Sequence, residues 1–430
     1  MSLADALAHH QAGRWTEAEA AYRALGEDPV ALGNLGALLN ARQRSEEAVP
    51  LLRRAVALEP ARAAHWSNLG VALGPGAEAL SCFDTAARLE PDSAIHPYNR
   101  GRALAALGRS TEAEAACRAA LARDPHHAGA RYNLAMALLR QGQLAEGLAA
   151  MEARWGLPDF QPTPYPDLPW WGGEPLSGPL LLFADQGFGD TLMMARYLPY
   201  LRREGIEPVV CCEPPLHRVL ATALPGLRLV APGGPLPACA AKLALLSLPL
   251  RFGTTLDHLP ATVPYLAVPP EVRARPVLDA ALDALPPGPR IGLVWAGNPR
   301  HAQDRLRSLD PARLAPLADL PGVGWVSLQV GAPGLPSLPG LLDLGPHLKD
   351  FGDTAHALSR LDLLISVDTA PAHLAGALGL PTLLLLPYVP DWRWMEGRND
   401  SPWYPTLQLV RQPSPGDWAA VVAQLVENLR

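Results

Sequence analysis

The most constraining feature of this 430-residue sequence is self-similarity in its first third. The stretches LGNLGALL (32–39), WSNLGVAL (66–73), YNRGRALA (98–105) and RYNLAMAL (131–138) align, as do the turn prolines Pro60, Pro91 and Pro125. Gly36 to Gly70 is 34 residues, Gly70 to Gly101 is 31, and Gly101 to Ala135 is 34. A unit of this length is a helix pair that cannot bury its apolar face alone, so neighbours must stack into a solenoid. Each pair needs small residues where its helices cross. Gly36, Gly70, Gly101 and Ala135 supply them on the first helix, and Ala48, Ala79, Ala113 and Gly147 on the second. Leu52, Phe83, Cys117 and Met151, four positions further on, are expected to fill the groove of the next unit. Gly13, Trp15, Ala18, Tyr22 and Pro29 mark a shorter first unit, which makes five. The unit over 62–94 is three residues short at its inter-helix turn, Gly74-Pro75-Gly76, where a deletion is tolerable.

These spacings resemble the tetratricopeptide repeat, which implies a helical solenoid over 1–155 and a groove suited to an extended polypeptide. Charge narrows the partners further. Up to residue 155 there are 16 basic and 17 acidic side chains, and after it 20 and 25, for a net charge of −6. Neither part is a polycation, so nucleic acid is not an expected partner. The five cysteines, Cys82, Cys117, Cys211, Cys212 and Cys239, lack zinc-finger spacing and read as reduced thiols of a cytoplasmic protein. The start, MSLADALAHHQ, has no basic n-region before an apolar stretch, so no secretory signal is expected. The longest apolar runs, near 239–250 and 362–389, are interrupted by Lys242, Asp368, His373 and prolines, so no transmembrane segment is expected either.

The 47 prolines mark boundaries. They crowd 156–178, a linker whose Trp170 and Trp171 suggest packing against a domain, and again 268–289. Between and after these, short apolar runs alternate with helical patterns. LLLFA (180–184), EPVVC (207–211) and LALLSL (243–248) read as strands, with one amphipathic helix over 191–205. IGLVWA (291–296), GWVSLQ (324–329), DLLISV (362–367), TLLLLP (382–387) and TLQLVR (406–411) continue the series. Alternation of this kind implies parallel sheets covered on both faces. The expected architecture is therefore α + α/β, a solenoid followed by two Rossmann-like domains over 179–267 and 290–430 that face each other across a cleft.

Ligands of open α/β sheets lie beyond the carboxyl ends of the strands, and two loops there carry chemistry. In ADQGFGDT the strand runs into Gly187 and Gly189, and a helix is expected after Asp190. Glycines admit a ligand close to the backbone, while Asp190 is either an N-cap or a base facing the cleft. Glu213 at the next strand end invites a dinucleotide-oxidoreductase reading, but Leu192 stands where the third glycine of GxGxxG belongs. In SVDTAPAHLAGALGLP (366–381) a strand delivers Asp368 and Thr369, and His373 follows four residues after Thr369 on the same helix face. The first-turn N–H groups there suit a diphosphate; N-capping and a core histidine are the plainer alternatives. Arg305, Arg307 and Asn298, after strand 291–296, are further candidates for phosphate contacts. No Asp-X-Asp or other metal-ligand cluster occurs, so neither metal nor cofactor is expected.

The segments IGLVWAGNPRHAQDRLRSLD, DFGDTAHALSRLDLLISVDTAPAHLAGALGLPTLLLLP and DWRWMEGRNDSPWYP resemble bacterial proteins that fuse tetratricopeptide repeats to a glycosyltransferase module similar to the heptosyltransferases. The resemblance implies a GT-B fold, a nucleotide-sugar donor, inversion at the anomeric carbon and a protein or peptide acceptor presented by the repeats. It assigns Asp190 as catalytic base and Asp368, Thr369, Ala370 and His373 to the donor diphosphate. Two departures bear on the donor: Pro371 lacks an N–H in the phosphate turn, and Asp185 stands where Glu is expected before Gln-Gly. The alternatives are a catalytically inactive scaffold and a transferase acting on a carbohydrate or lipid-linked acceptor.

Overall fold

A computed structural model describes residues 2–272, 274–301, 303–331 and 334–430. The chain divides into two compact units, one ending at Gln161 and the other starting at Pro162.

Among its described residues the first unit carries ten α-helices. They are α1 (Leu3–Gln11), α2 (Trp15–Ala24), α3 (Pro29–Ala41), α4 (Ser45–Leu58), α5 (Ala63–Leu73), α6 (Ala77–Leu89), α7 (Ile95–Ala106), α8 (Ser110–Arg123), α9 (Ala128–Arg140) and α10 (Leu144–Met151). Local chemistry starts several of them. Asp28 accepts the Ala31 N–H ahead of Pro29, and Ser2 and Asp5 cap α1 reciprocally. The large residues of the second helices close over the glycines of their own unit and also join the core of the next: Leu52 clusters with Leu69, Phe83 with Ala103 and Leu104, and Cys117 with Leu134 and Leu138. A Cβ added to Gly36 would lie 2.4 Å from Leu52, one at Gly70 2.7 Å from Phe83, and one at Gly101 2.8 Å from the Cys117 sulfur. A residue one turn beyond the crossing point still faces the same partner helix, which explains the pairing. Between units, first helices approach closely as well. The His65 ring lies where a Cβ on Gly33 would be, 2.4 Å away, and Tyr98 does the same at Gly129, 3.0 Å away.

The second unit holds two parallel sheets. The first is built from β1 (Leu180–Phe183), α11 (Phe188–Met194), α12 (Leu198–Arg203), β2 (Pro208–Cys211), α13 (His217–Leu220), β3 (Arg228–Val230), β4 (Ala241–Ala244) and α14 (Leu248–Arg251), with strand order β3-β2-β1-β4. The second comprises α15 (Pro276–Asp283), β5 (Arg290–Val294), α16 (Asp304–Arg307), β6 (Gly324–Ser327), β7 (Leu342–Asp343), α17 (Phe351–Leu358), β8 (Leu363–Val367), α18 (Ala370–Leu378), β9 (Thr382–Leu386), β10 (Leu407–Arg411) and α19 (Trp418–Leu429). Its order is β10-β9-β8-β5-β6-β7. The strands β1, β2, β4, β6 and β9 are buried along their length, as parallel sheets require. Trp295, Trp325, Ile365, Val410 and Leu425 anchor the core of the larger sheet.

Several elements differ from expectation. The helix over 191–205 is broken by a 3-10 turn at Ala195–Tyr197, and α12 restarts with Pro199 in its first turn, where a missing N–H costs nothing. β4 ends at Ala244, and Leu245–Ser247 turns into α14. β3 and β7 are short, partly exposed edge strands without the apolar run that announces a strand. The proline-rich segment packs onto the edge of β4. The Trp171 N–H donates to the Lys242 carbonyl (2.9 Å) and the Lys242 N–H to that of Pro169 (2.8 Å). The Lys242 ammonium donates to the Pro164 and Tyr165 carbonyls at 2.8 Å each and lies 4.8 Å from the Trp170 ring centre.

Candidate functional site

The first glycine loop leaves β1 and enters α11 one turn earlier than expected. Phe188 begins the helix, so Asp190 is its third residue, not its N-cap. Its Oδ2 accepts the Gly187 N–H at 2.9 Å, which fixes the loop. Its Oδ1 is paired with the guanidinium of Arg393. Arg393 is nearly buried, donates to Asp391 Oδ1 at 2.6 Å and lies 4.6 Å from the centre of the Trp392 ring. In the sequence, the only signal for Arg393 is a charge inside the tryptophan-rich stretch Asp391 to Trp394. Asp185 joins β1 to the turn after β4 by accepting the Leu246 N–H at 3.4 Å.

The second loop leaves β8 and enters α18. Thr369 occupies the N-cap position, but its hydroxyl donates back to the Val367 carbonyl (3.2 Å). The Ala372 and His373 N–H groups bond to the Thr369 carbonyl at 3.0 and 3.4 Å, and Pro371 has none, so Ala370 supplies the first-turn amide. His373 meets the Tyr404 hydroxyl at 2.9 Å through Nδ1 and stands 3.9 Å from Asp368 Oδ1 through Nε2. The Trp394 ring lies 5.2 Å away. Burial, with the charges of Arg196 and Arg307, holds the His373 pKa down to about 3, so the ring is neutral. Burial pushes the Asp368 carboxyl up, against the pull of the Trp394 indole and Arg307.

The two loops touch. A Cβ on Gly189 would lie 2.6 Å from His373 Cδ2, so this glycine serves the contact of α11 with α18. The third candidate group is divided by the fold. Asn298 is exposed and its Oδ1 accepts the Arg300 N–H at 3.0 Å, holding a turn. Arg305 is exposed as well. Arg307 packs over Gly297, donates to Asp304 Oδ1 at 3.3 Å and projects its field onto Asp368 and His373. Arg307 therefore belongs with the two loops, whereas Asn298 and Arg305 stay at the surface.

Behind this cluster, Arg196 is buried beside Tyr265 and Tyr404, 4.8 and 4.7 Å from their ring centres, and donates to the Trp403 carbonyl at 2.8 Å. The Tyr265 hydroxyl donates to the Leu192 carbonyl at 3.1 Å, which braces α11. At the carboxyl ends of β5, β6 and β7 lies a cavity of about 700 Å³ lined by Trp295, Gln329, Val330, Leu335, Asp343 and Leu348. Gln329 is fixed by the Trp295 and Ala296 N–H groups, at 3.0 and 2.9 Å. The Trp295 indole N–H is buried without a partner among the described residues. No sequence motif marks these cavity residues as a site; they come together only where the ends of β5, β6 and β7 converge. No cluster of three His, Cys, Asp or Glu suited to a metal occurs among the described residues, and no described helix is long and apolar enough to cross a membrane.

Comparison with known proteins bears on the two units unequally. Tetratricopeptide-repeat profiles match residues 29–54, 74–128 and 98–155. The chain carries tetratricopeptide repeats. Protein FlbA of Caulobacter vibrioides is 29% identical over 444 residues, an alignment covering 94% of this chain and 73% of that protein, and so reaching both units. The cellulose synthase operon protein C of Xanthomonas axonopodis pv. citri is 38% identical over 143 residues, 30% of this chain and 9% of that protein. Among solved structures, a thermophilic tetratricopeptide-repeat protein of Thermus thermophilus is 28% identical with a TM-score of 0.31, covering 35% of this chain and 88% of its own. MamA is 19% identical with a TM-score of 0.32, covering 36% and 92%.

Proposed function

We propose that the second unit is a glycosyltransferase of GT-B architecture, similar to the heptosyltransferases, that moves a sugar from a nucleoside-diphosphate donor to an acceptor hydroxyl with inversion and without a metal. The observation that carries this reading is the contact of Gly189 with His373. It joins α11, which carries Asp190, to α18, which follows Asp368 and Thr369 and carries His373, while Arg307 acts on Asp368 and His373 from beyond β5. Strand order supports it: counted within its own sheet, the larger sheet runs 6-5-4-1-2-3, the doubly wound order whose ligands lie at the switch between strands 1 and 4. Here that switch falls between β5 and β8, whose loops carry Arg307 and Asp368.

In this reading the Ala370 amide, the positive end of α18 and Arg307 hold the diphosphate. The nucleoside occupies the cavity beside Trp295, with the indole N–H and Asp343 as its polar contacts. The acceptor oxygen bonds to the anomeric carbon as the bond from that carbon to the diphosphate oxygen breaks, and Asp190 takes the hydroxyl proton. The leaving diphosphate keeps the electron pair, stabilised by the same helix end and guanidinium. The repeats present a protein or peptide acceptor.

The test is purified protein incubated with a panel of nucleotide sugars and candidate protein acceptors, read by intact mass. A gain of one sugar is expected, and Asp190→Asn should cut turnover by ~10²–10⁴-fold. Undiminished turnover in that variant would rule out the base. One observation favours a second reading, a scaffold without turnover: both oxygens of Asp190 are already engaged. Calorimetry separates the two, since absence of nucleoside-diphosphate binding at millimolar concentration leaves only the scaffold.

A further inference from the structure

The Gly187 N–H occupies Oδ2 of Asp190 and Arg393 pairs with Oδ1, so the proposed base already carries a donor on each oxygen. Drawing the guanidinium away frees Oδ1 for the acceptor. The donor's own diphosphate is the group best suited to do so. Arg393 precedes Trp394, which lies against His373 of α18, and Asp190 follows Gly189, which touches the same histidine. The guanidinium thus belongs to the cluster at the helix start where the diphosphate is expected. Its Nη1 is held by Asp391 and its plane by Trp392, while Nη2 is the end that pairs with Asp190. A guanidinium fork matches phosphate oxygens at least as well as a single carboxylate oxygen.

We propose that Arg393 is a donor-sensing positioning residue: it masks Asp190 in the unliganded protein, and an arriving nucleoside diphosphate draws it off the carboxylate. This rests on the glycosyltransferase reading above. Donor then binds before acceptor, and the base is exposed only when a sugar is in place to be transferred. The carboxylate and the diphosphate compete for one cation, so the two sites are coupled reciprocally.

The experiment is calorimetry of the full chain with ADP, GDP, UDP and CDP, continued with whichever binds most tightly. Asp190→Asn should tighten the Kd by about fivefold or more, because the cation is no longer shared. Arg393→Gln should weaken it, and the double variant should match Arg393→Gln alone. A bystander arginine that only props up the fold would not produce that loss of coupling. Arg393→Lys, which keeps the charge, should retain part of the coupling, and it decides the matter together with Asp190→Asn if Arg393→Gln fails to fold. If the wild-type protein binds a nucleoside diphosphate but Asp190→Asn binds it no more tightly, the mask is refuted and the transferase reading stands. If none of the four binds at millimolar concentration, both fall.

Discussion

Gly189 has no room for a side chain, whereas Gly187 has some. A Cβ on Gly189 would sit 2.6 Å from the His373 ring, but one on Gly187 would meet its nearest neighbour, Asp190 Oδ2, at 3.4 Å. Gly189→Ala should therefore destabilise the protein by ~1–3 kcal/mol through overpacking, and Gly187→Ala much less. Urea unfolding of the two variants checks this, and equal losses would refute it. His373 makes a second prediction. Unfolded, it takes a proton near its ordinary value of about 6.5; folded, it does so only near about 3. Between those values the unfolded state binds more protons, so stability falls as pH drops through the window, by up to ~1.4 kcal/mol per pH unit. The raised Asp368 value acts in the opposite sense, adding stability as pH falls through it. The informative quantity is the difference between wild type and His373→Gln: wild type should lose more stability between pH 7 and pH 5, and parallel curves would refute the assignment. Asp190 and His373 were legible because each follows an apolar run ending at a strand terminus. Arg393 was not, because its partner lies 203 residues away.

Among the elements, the proline-rich strap on β4 depends on one side chain. Lys242 is buried, and burial pushes its pKa down, yet three observations tie it to the strap: two carbonyls and the Trp170 ring. Lys242→Ala leaves both carbonyls without their donor and should cost ~2–3 kcal/mol. It should also speed chymotryptic cleavage near Tyr165 and Trp170, and an unchanged digestion rate would show that the strap holds without it. Strands with long apolar runs, such as β1, β8 and β9, were legible from pattern alone. The edge strands β3 and β7 and the break before α12 were not, since pairing at a sheet edge and a turn between two short helices leave little periodic signal.

At the level of the whole molecule, each unit carries its own core, one around Leu35, Leu52 and Leu69, another around Trp295, Trp325 and Leu425. Residues 1–161 alone should fold cooperatively with a helical circular-dichroism spectrum, and a gradual, non-cooperative melt would refute independence. Residues 162–430 alone should keep nucleoside-diphosphate binding but lose modification of a protein acceptor. Undiminished protein modification by that fragment would refute presentation by the repeats and favour a carbohydrate or lipid-linked acceptor.

Two properties follow from the chain by itself: the repeat array and the alternation of apolar runs with helical patterns. Both are written in spacings of a few residues, and local backbone geometry converts such spacings directly into helices, strands and stacked pairs. The tertiary structure alone decided that Gly189 makes room for a histidine, that Leu52 and Phe83 close over the glycines of their own repeats, and that Arg393 pairs with Asp190. Those outcomes depend on loops from distant strands meeting in one buried place, where exclusion of water makes each charge and each methyl group count.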